Sequence, residues 1–347
     1  MNRFIRRALI GVVLGIVLYV AWVLWSDTAR VAEAVRGYSW SAVLIALGLS
    51  SVNYLLRFAK WELCLSWLDV RGDGPGDAPQ LTVTRSLLIY VAGLSMSVTP
   101  GKIGEVLRSW LLRTTDGVQF TRTAPVVIAD RLTDFIALVL LSLVGISEFQ
   151  EYLPVVYVSI ALVVIGVIIL GSPRLCHAIL GALSRLPGIG RVAGAITRLI
   201  DSSATLMRLR YLAVLSALSV VGWGLECLGY YVILHGFLGV DASLTLCTFL
   251  WSVTTLIGAL SFLPGGLGAT EGSLALLIAR LGVGVSSEIA LASTVLIRGC
   301  TLWYGELVGA LALVLVVRSR AYAAGEARAA EEARASEGPG ASSARGE

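Results

Sequence analysis

A chain of 347 residues that is 56% hydrophobic and only 14% charged, with a mean hydropathy of +0.83, has too little polar surface to cover a soluble domain of any class. The expected fold class is therefore an all-α polytopic membrane protein, with any chemistry in or against the bilayer. A net charge of +4 is modest, and the arginines gather on particular loops. That pattern sets orientation and gives no signal for nucleic acid.

Arg3, Arg6 and Arg7 precede an apolar run from Ala8 to Trp25, which is longer than a signal-peptide core and lacks a small-x-small cleavage site. It is expected to be an uncleaved first helix with its N-terminus inside. A second helix from about Trp40 carries Asn53 and Arg57 and is expected to end at Lys60, Trp61 and Glu62, before the Gly/Pro-rich loop that follows Asp69. Ser86 to Val98 and Ile103 to Leu112 are each too short to span, so with Pro100-Gly101 between them they read as a hairpin that enters and leaves on one side. Thr123 to Ile146 and Pro154 to Leu170 then span.

Arg174, Arg185, Arg191, Arg198, Arg208 and Arg210 place the next interval in the cytoplasm. Within it, Val192, Ile196, Leu199, Ile200, Leu206 and Leu209 recur at helical spacing, as in a helix on the inner leaflet or a plain amphipathic connector. Tyr211 to Phe237 spans; Leu244 to Phe262 and Gly272 to Leu281 form a second hairpin about Pro264; Ile289 to Val317 returns. The tail 321–347 is low in complexity and expected to be disordered and cytoplasmic. About six spanning helices and two re-entrant hairpins result, in one transmembrane domain over residues 1–320. Its units at about 40–146 and 211–317 run in opposite senses, an inverted repeat, with both termini cytoplasmic.

Thr99-Pro100-Gly101-Lys102-Ile103-Gly104-Glu105 and Leu263-Pro264-Gly265-Gly266-Leu267-Gly268-Ala269-Thr270-Glu271 share a Pro-Gly-x-(Ile/Leu)-Gly core with a Glu just after it. Proline removes a backbone donor and glycine frees the chain, so helices break here, and broken backbone at membrane depth survives only against protein or a water-filled cavity. An ionised side chain near the bilayer centre costs roughly 2.5–3.5 kcal/mol, so those present face a cavity or a partner. They recur by half. Glu105 is followed after 26 residues by Arg131, with Asp130 and Asp134 beside it; Glu271 is followed after 27 residues by Arg298 and then Glu306. Arg131 can reach Asp134 at i+3 as a local ion pair. Arg298 has no acid at i+3 or i+4, so it looks to another helix, to Glu306, or to a ligand phosphate. Glu226 and Glu271 are candidates to pair with such arginines or to take up protons.

Cys64, Cys176, Cys227, Cys247 and Cys300 show no Cys-x-x-Cys spacing and read as small buried hydrophobes. His177 and His235 stand alone, so neither a metal nor a cofactor is expected.

The two break motifs, with Asp130-Arg131 and the late Arg298, resemble the flippase-like transmembrane domain of lysylphosphatidylglycerol synthases, over roughly Trp40 to Val317. The resemblance implies movement of a phospholipid or polyprenyl-type lipid between leaflets of a bacterial or archaeal cytoplasmic membrane. The implied headgroup site draws on Lys102, Glu105, Arg108, Asp130, Arg131, Asp134, Glu226, Glu271, Arg298 and Glu306. Pro100, Gly101 and Gly104, with Pro264, Gly265, Gly266 and Gly268, form the hairpin breaks. The bifunctional synthases continue into a soluble aminoacyl-transfer domain, whereas 30 residues follow Val317 here, so lipid aminoacylation is not expected. The expectation is a lipid translocase and no enzyme, with membrane lipid as substrate. Two alternatives stay open: a membrane-embedded transferase using Asp130, Asp134 or Glu226 as base, and a non-catalytic partner of a lipid-modifying enzyme. A homo-oligomer is a candidate assembly.

Overall fold

The computed structural model describes residues 35–70, 81–99, 106–146, 149–172, 174–178, 205–319, 322–324 and 327. The run from Ala8 to Trp25, the first-break residues Pro100, Gly101, Lys102, Gly104 and Glu105, the positions Val192 to Ile200 and nearly all of the tail lie outside them. Every regular element among the described residues is a helix.

Helix α1 (Ser41–Trp67) is followed by α2 (Val83–Ala92), which tightens into a 3-10 turn over Gly93–Met96, and by α3 (Leu107–Asp116). Then come α4 (Phe120–Ser142), α5 (Leu153–Gly171) and α6 (Leu209–His235). The second half continues with α7 (Leu244–Leu260), α8 (Ala269–Leu281) and α9 (Ser287–Arg298), which runs through a π-helical turn, Gly299–Trp303, into α10 (Tyr304–Val317). Serine caps start two of these helices as the sequence dictates, the Ser243 hydroxyl accepting from Leu246 N at 3.1 Å and that of Ser286 from Ile289 N at 3.3 Å. Gly117, at φ 72°, ends α3 in the left-handed conformation that glycine adopts without strain.

Among the described residues, three stretches are long and apolar enough to cross a membrane: Ser41–Trp67, Leu209–His235 and the continuous Ser287–Val317. The other expected spans are not among these. Helix α4 has 23 residues, but Arg122, Asp130, Arg131 and Asp134 lower its hydropathy; the apolar part of α5, Leu153–Ile169, is shorter than the others, and the run from Ala8 to Trp25 is not described. One correction concerns α1, which does not stop at Lys60–Glu62 but continues to Trp67. Lys60 is 2% exposed and paired with carboxylates of α4, so its charge needs no helix end to reach water, and Trp61 and Leu65 are core residues. The described second arm of the first hairpin also runs four residues past the expected end at Leu112.

Helix α6 lies along α1 and also touches α4 and α7; α7 packs on α4 and α8, α8 on α9, and α10 on α2 and its 3-10 turn. Two buried clusters result. One gathers Tyr230, Phe249 and Trp251 of α6 and α7; the other gathers Trp61, Tyr90 and Leu111 of α1 to α3. Outward, Leu307, Leu311 and Leu315 form an exposed stripe one helical turn apart, and Leu44, Ile45, Val52 and Leu55 of α1 are exposed as well. Leucine exposed in such stripes suits hydrocarbon rather than water.

Candidate functional site

The second break borders the site. After α7 the chain turns through Phe262, a non-glycine residue at φ 54°, and then through Gly265 (φ 61°), Gly266 (φ 69°) and Gly268 (φ 85°). Positive φ at the three glycines explains why no other residue serves there, whereas at Phe262 it is a local strain, carried by an exposed aromatic side chain at the mouth of a cavity. Pro264 opens the 3-10 turn between them.

Glu271, at the third position of α8, turns one carboxylate oxygen back to accept from Gly268 N at 2.7 Å. That is half of a capping box, glycine having no side chain to supply the other half. The second oxygen accepts from Arg298 Nε at 2.6 Å, and Arg298 Nη2 donates to the Gly265 carbonyl at 3.0 Å. The acid that Arg298 needs is therefore Glu271, 27 residues before it, and not Glu306.

Glu306 serves the other break. Its Oε1 accepts from Val98 N at 2.8 Å, just before the undescribed Pro100. A Cβ added at Gly309, one turn on, would overlap the backbone of Leu94 and Ser95, so α10 lies directly on that turn. The second break also meets the chain just before the first. A Cβ on Gly265 would stand 3.3 Å from Val98 Cα and 3.7 Å from Leu302 Cδ2, so the chain flanking each break and the π-helical turn touch at one point.

A larger ionic cluster lies between α1, α4 and α6. Asp130 and Asp134, one turn apart on α4, share Lys60, whose Nζ is 2.6 Å from Asp130 Oδ1 and 3.2 Å from Asp134 Oδ1. Arg57 Nη2 takes Asp134 Oδ2 at 2.8 Å and lies 3.7 Å from Asp130 Oδ2. Arg108 Nη1 is 3.9 Å from Asp130 Oδ2, and its guanidinium lies over the Tyr90 ring at 4.2 Å. Three cations thus face two carboxylates. Arg108 is the least engaged of them, with Nε and Nη2 buried and lacking hydrogen-bond partners. Glu226, on α6, accepts from Asn53 Nδ2 at 2.6 Å and from Trp251 Nε1 at 3.3 Å.

These groups wall a cavity of about 580 Å³, within the range of small-ligand sites. Its charged lining is Arg57, Arg108, Arg131, Asp134, Glu226 and Arg298. Its apolar lining includes Val127, Phe135 and Leu138, which share one face of α4 with Arg131 and Asp134, and Leu162, Phe262 and Leu263. Those last three are exposed, so the apolar part of the lining reaches the outer surface at α5 and the α7–α8 corner.

The predicted residues therefore fall into three sets. Arg108, Arg131, Asp134, Glu226, Arg298, Gly265 and Gly266 line the cavity, whereas Asp130, Glu271 and Glu306 fasten the elements around it. Lys102 and Glu105 lie outside the described residues. Sequence reasoning missed Arg57 and Lys60 as members of the ionic cluster, along with Asn53, Ser219, Trp223 and Trp251. Spacing carried a signal for most of these: Asn53, Arg57 and Lys60 fall at i, i+4 and i+7 of α1, and Ser219, Trp223 and Glu226 repeat that interval on α6. All five cysteines are free and buried, as their sequence contexts predict. Among the described residues no three His, Cys, Asp or Glu side chains gather as metal ligands.

Apolar stripes outside and a cavity lined by both charged and apolar side chains define an integral membrane protein with an amphiphilic site. The family described as the lysylphosphatidylglycerol synthase TM region matches residues 9–309, and this chain belongs to that family. Relatives from Methanothermobacter thermautotrophicus, each called a UPF0104 membrane protein, are 24% identical over 330 residues, covering 89% of this chain and 95% of the relative, and 26% identical over 312 residues, covering 82% and 86%.

Proposed function

We propose that this protein is a lipid translocase, which moves a phospholipid or polyprenyl-linked lipid between the leaflets of a cytoplasmic membrane. The observation that carries the reading is the mixed lining of the cavity. A site that holds arginine and carboxylate groups together with aliphatic and aromatic ones, the latter reaching the outer surface, suits a molecule that is itself polar at one end and hydrocarbon at the other. The headgroup rests against Arg108 and Arg131, while the acyl or prenyl chain leaves past Leu162 and Phe262 into the bilayer. Arg298 contributes to the wall and ties the second break to Glu271.

In this reading the two halves form an inverted repeat with cytoplasmic termini, supported by the matched breaks and by their contact at Gly265 and Val98. The test is reconstitution in liposomes with fluorescent anionic, zwitterionic and polyprenyl-phosphate lipids, timing access of an outer-leaflet quencher. Protein-dependent exchange of one headgroup class is the expected result. No exchange of any class refutes the reading and turns attention to a transferase, or to a partner of a lipid-modifying enzyme.

A further inference from the structure

Behind the cavity wall the Lys60 ammonium sits in a cage made entirely of oxygen. It lies 2.6 Å from Asp130 Oδ1, 2.7 Å from Ser219 Oγ, 3.2 Å from Asp134 Oδ1 and 3.4 Å from the Asp130 carbonyl. The Ser219 hydroxyl accepts from the ammonium and donates to Asp134 Oδ1 at 3.0 Å, which orients its lone pairs toward the nitrogen. Arg57 and Arg108 approach the opposite, Oδ2, edges of the two carboxylates. The cage is therefore a separate compartment of the cluster, supplied by α4 and α6 and plugged from α1. Two carboxylate oxygens, a hydroxyl and a backbone carbonyl around one centre are the donor types that hard cations take from proteins. An ammonium ion is close to potassium in size.

We propose that Lys60 is a tethered counter-cation. Its ammonium fills a site of alkali-ion size and chemistry, so the acidic pair beside the cavity carries its own cation and no alkali ion binds there during transport. The cage, once vacated, takes a small monovalent cation. The transport half of this inference rests on the lipid-translocase reading, and the cation site does not.

The experiment compares wild type with Lys60→Ala, extracted and purified in ammonium chloride and then exchanged into chloride salts of choline, tetramethylammonium, methylammonium, ammonium or potassium at one ionic strength. For each, the melting temperature and the lipid-exchange rate are measured. Wild type is expected to give the same melting temperature and rate in every salt. Lys60→Ala is expected to melt several degrees lower in choline and to recover in ammonium, methylammonium or potassium, as a ligand that binds only the folded state requires. Tetramethylammonium, too large for the cage, should give no recovery.

Wild-type exchange that needs potassium overturns the proposal. So does Lys60→Ala that is equally unstable in all five salts, or that does not survive purification even in ammonium. Recovery of Lys60→Ala by ammonium, with no lipid exchange by wild type, would sink the translocase reading and leave the cation site standing.

Discussion

The Arg298–Glu271 pair is the contact whose removal reads out most directly how the second break is held. Arg298→Ala deletes the 2.6 Å contact to Glu271 Oε1 and the 3.0 Å donation to Gly265 O, leaving Glu271, only 1% exposed, with the single N–H of Gly268. Taking one partner from a buried ion pair costs about 3–5 kcal/mol, most of it from the charge left behind. Glu271→Gln removes that charge while keeping an oxygen for Gly268 N–H, so the double variant should lose less than the two single losses combined, by about 1–3 kcal/mol. Arg298→Lys keeps the charge but reaches one acceptor in place of two, and should fall between wild type and Arg298→Ala. Reversible unfolding in mixed micelles, titrated with dodecyl sulfate, gives the free energies of wild type and all four variants. A loss for Arg298→Ala under about 0.5 kcal/mol, the scale of an ordinary surface substitution, would show that Arg298 does not fasten the break.

Gly309→Ala drives a methyl group into the Leu94–Ser95 backbone, which cannot step aside, and should cost at least about 1–3 kcal/mol; Gly272→Ala points into open space and should be neutral or stabilising by about 0.5–1 kcal/mol, both read by the same unfolding titration. Gly93→Ala places its methyl group in the volume occupied by the Arg108 Cγ and Nε atoms, pushing the guanidinium off Tyr90; binding of a phosphate-bearing lipid in detergent, followed by native mass spectrometry, should weaken while binding of an uncharged lipid stays as in wild type. Cysteines at the exposed positions Gln119 and Ser287, each just past a hairpin, should react with an impermeant thiol reagent from opposite sides of intact cells, against a low background because the native cysteines are buried; labelling from one side refutes the inverted repeat.

Much of the second half was readable because its signals are local. Pro264 with four nearby glycines declares a break, and a carboxylate three residues into the next helix declares a cap. Arg298, without an acid within a turn, announces a distant partner. What composition and spacing did not reveal was who pairs with whom. Arg131 lies within reach of Asp134 at i+3, but nothing in the spacing announces Arg57 and Lys60, more than seventy residues earlier, at 2.8 and 3.2 Å from Asp134. Lys60-Trp61-Glu62 looks like a helix end because two charges precede a polar loop. Only the carboxylates of α4 turn that lysine into an interior residue, and nothing within α1 encodes them. The π-helical turn at Gly299–Trp303 likewise has no proline to mark it; it arises where Arg298 and Glu306 must face two different breaks from one helix.

That shared helix has a consequence for how damage spreads. Since Arg298 grips the chain at Gly265 and Glu306 grips it at Val98, and since these two points touch, the hairpins are geared to a common shaft and their separate freedoms collapse into one. A lesion in either half is then felt by both. Compensating changes should arise across the molecule, in the opposite hairpin or along the face of the shaft between residues 298 and 309, rather than beside the original defect.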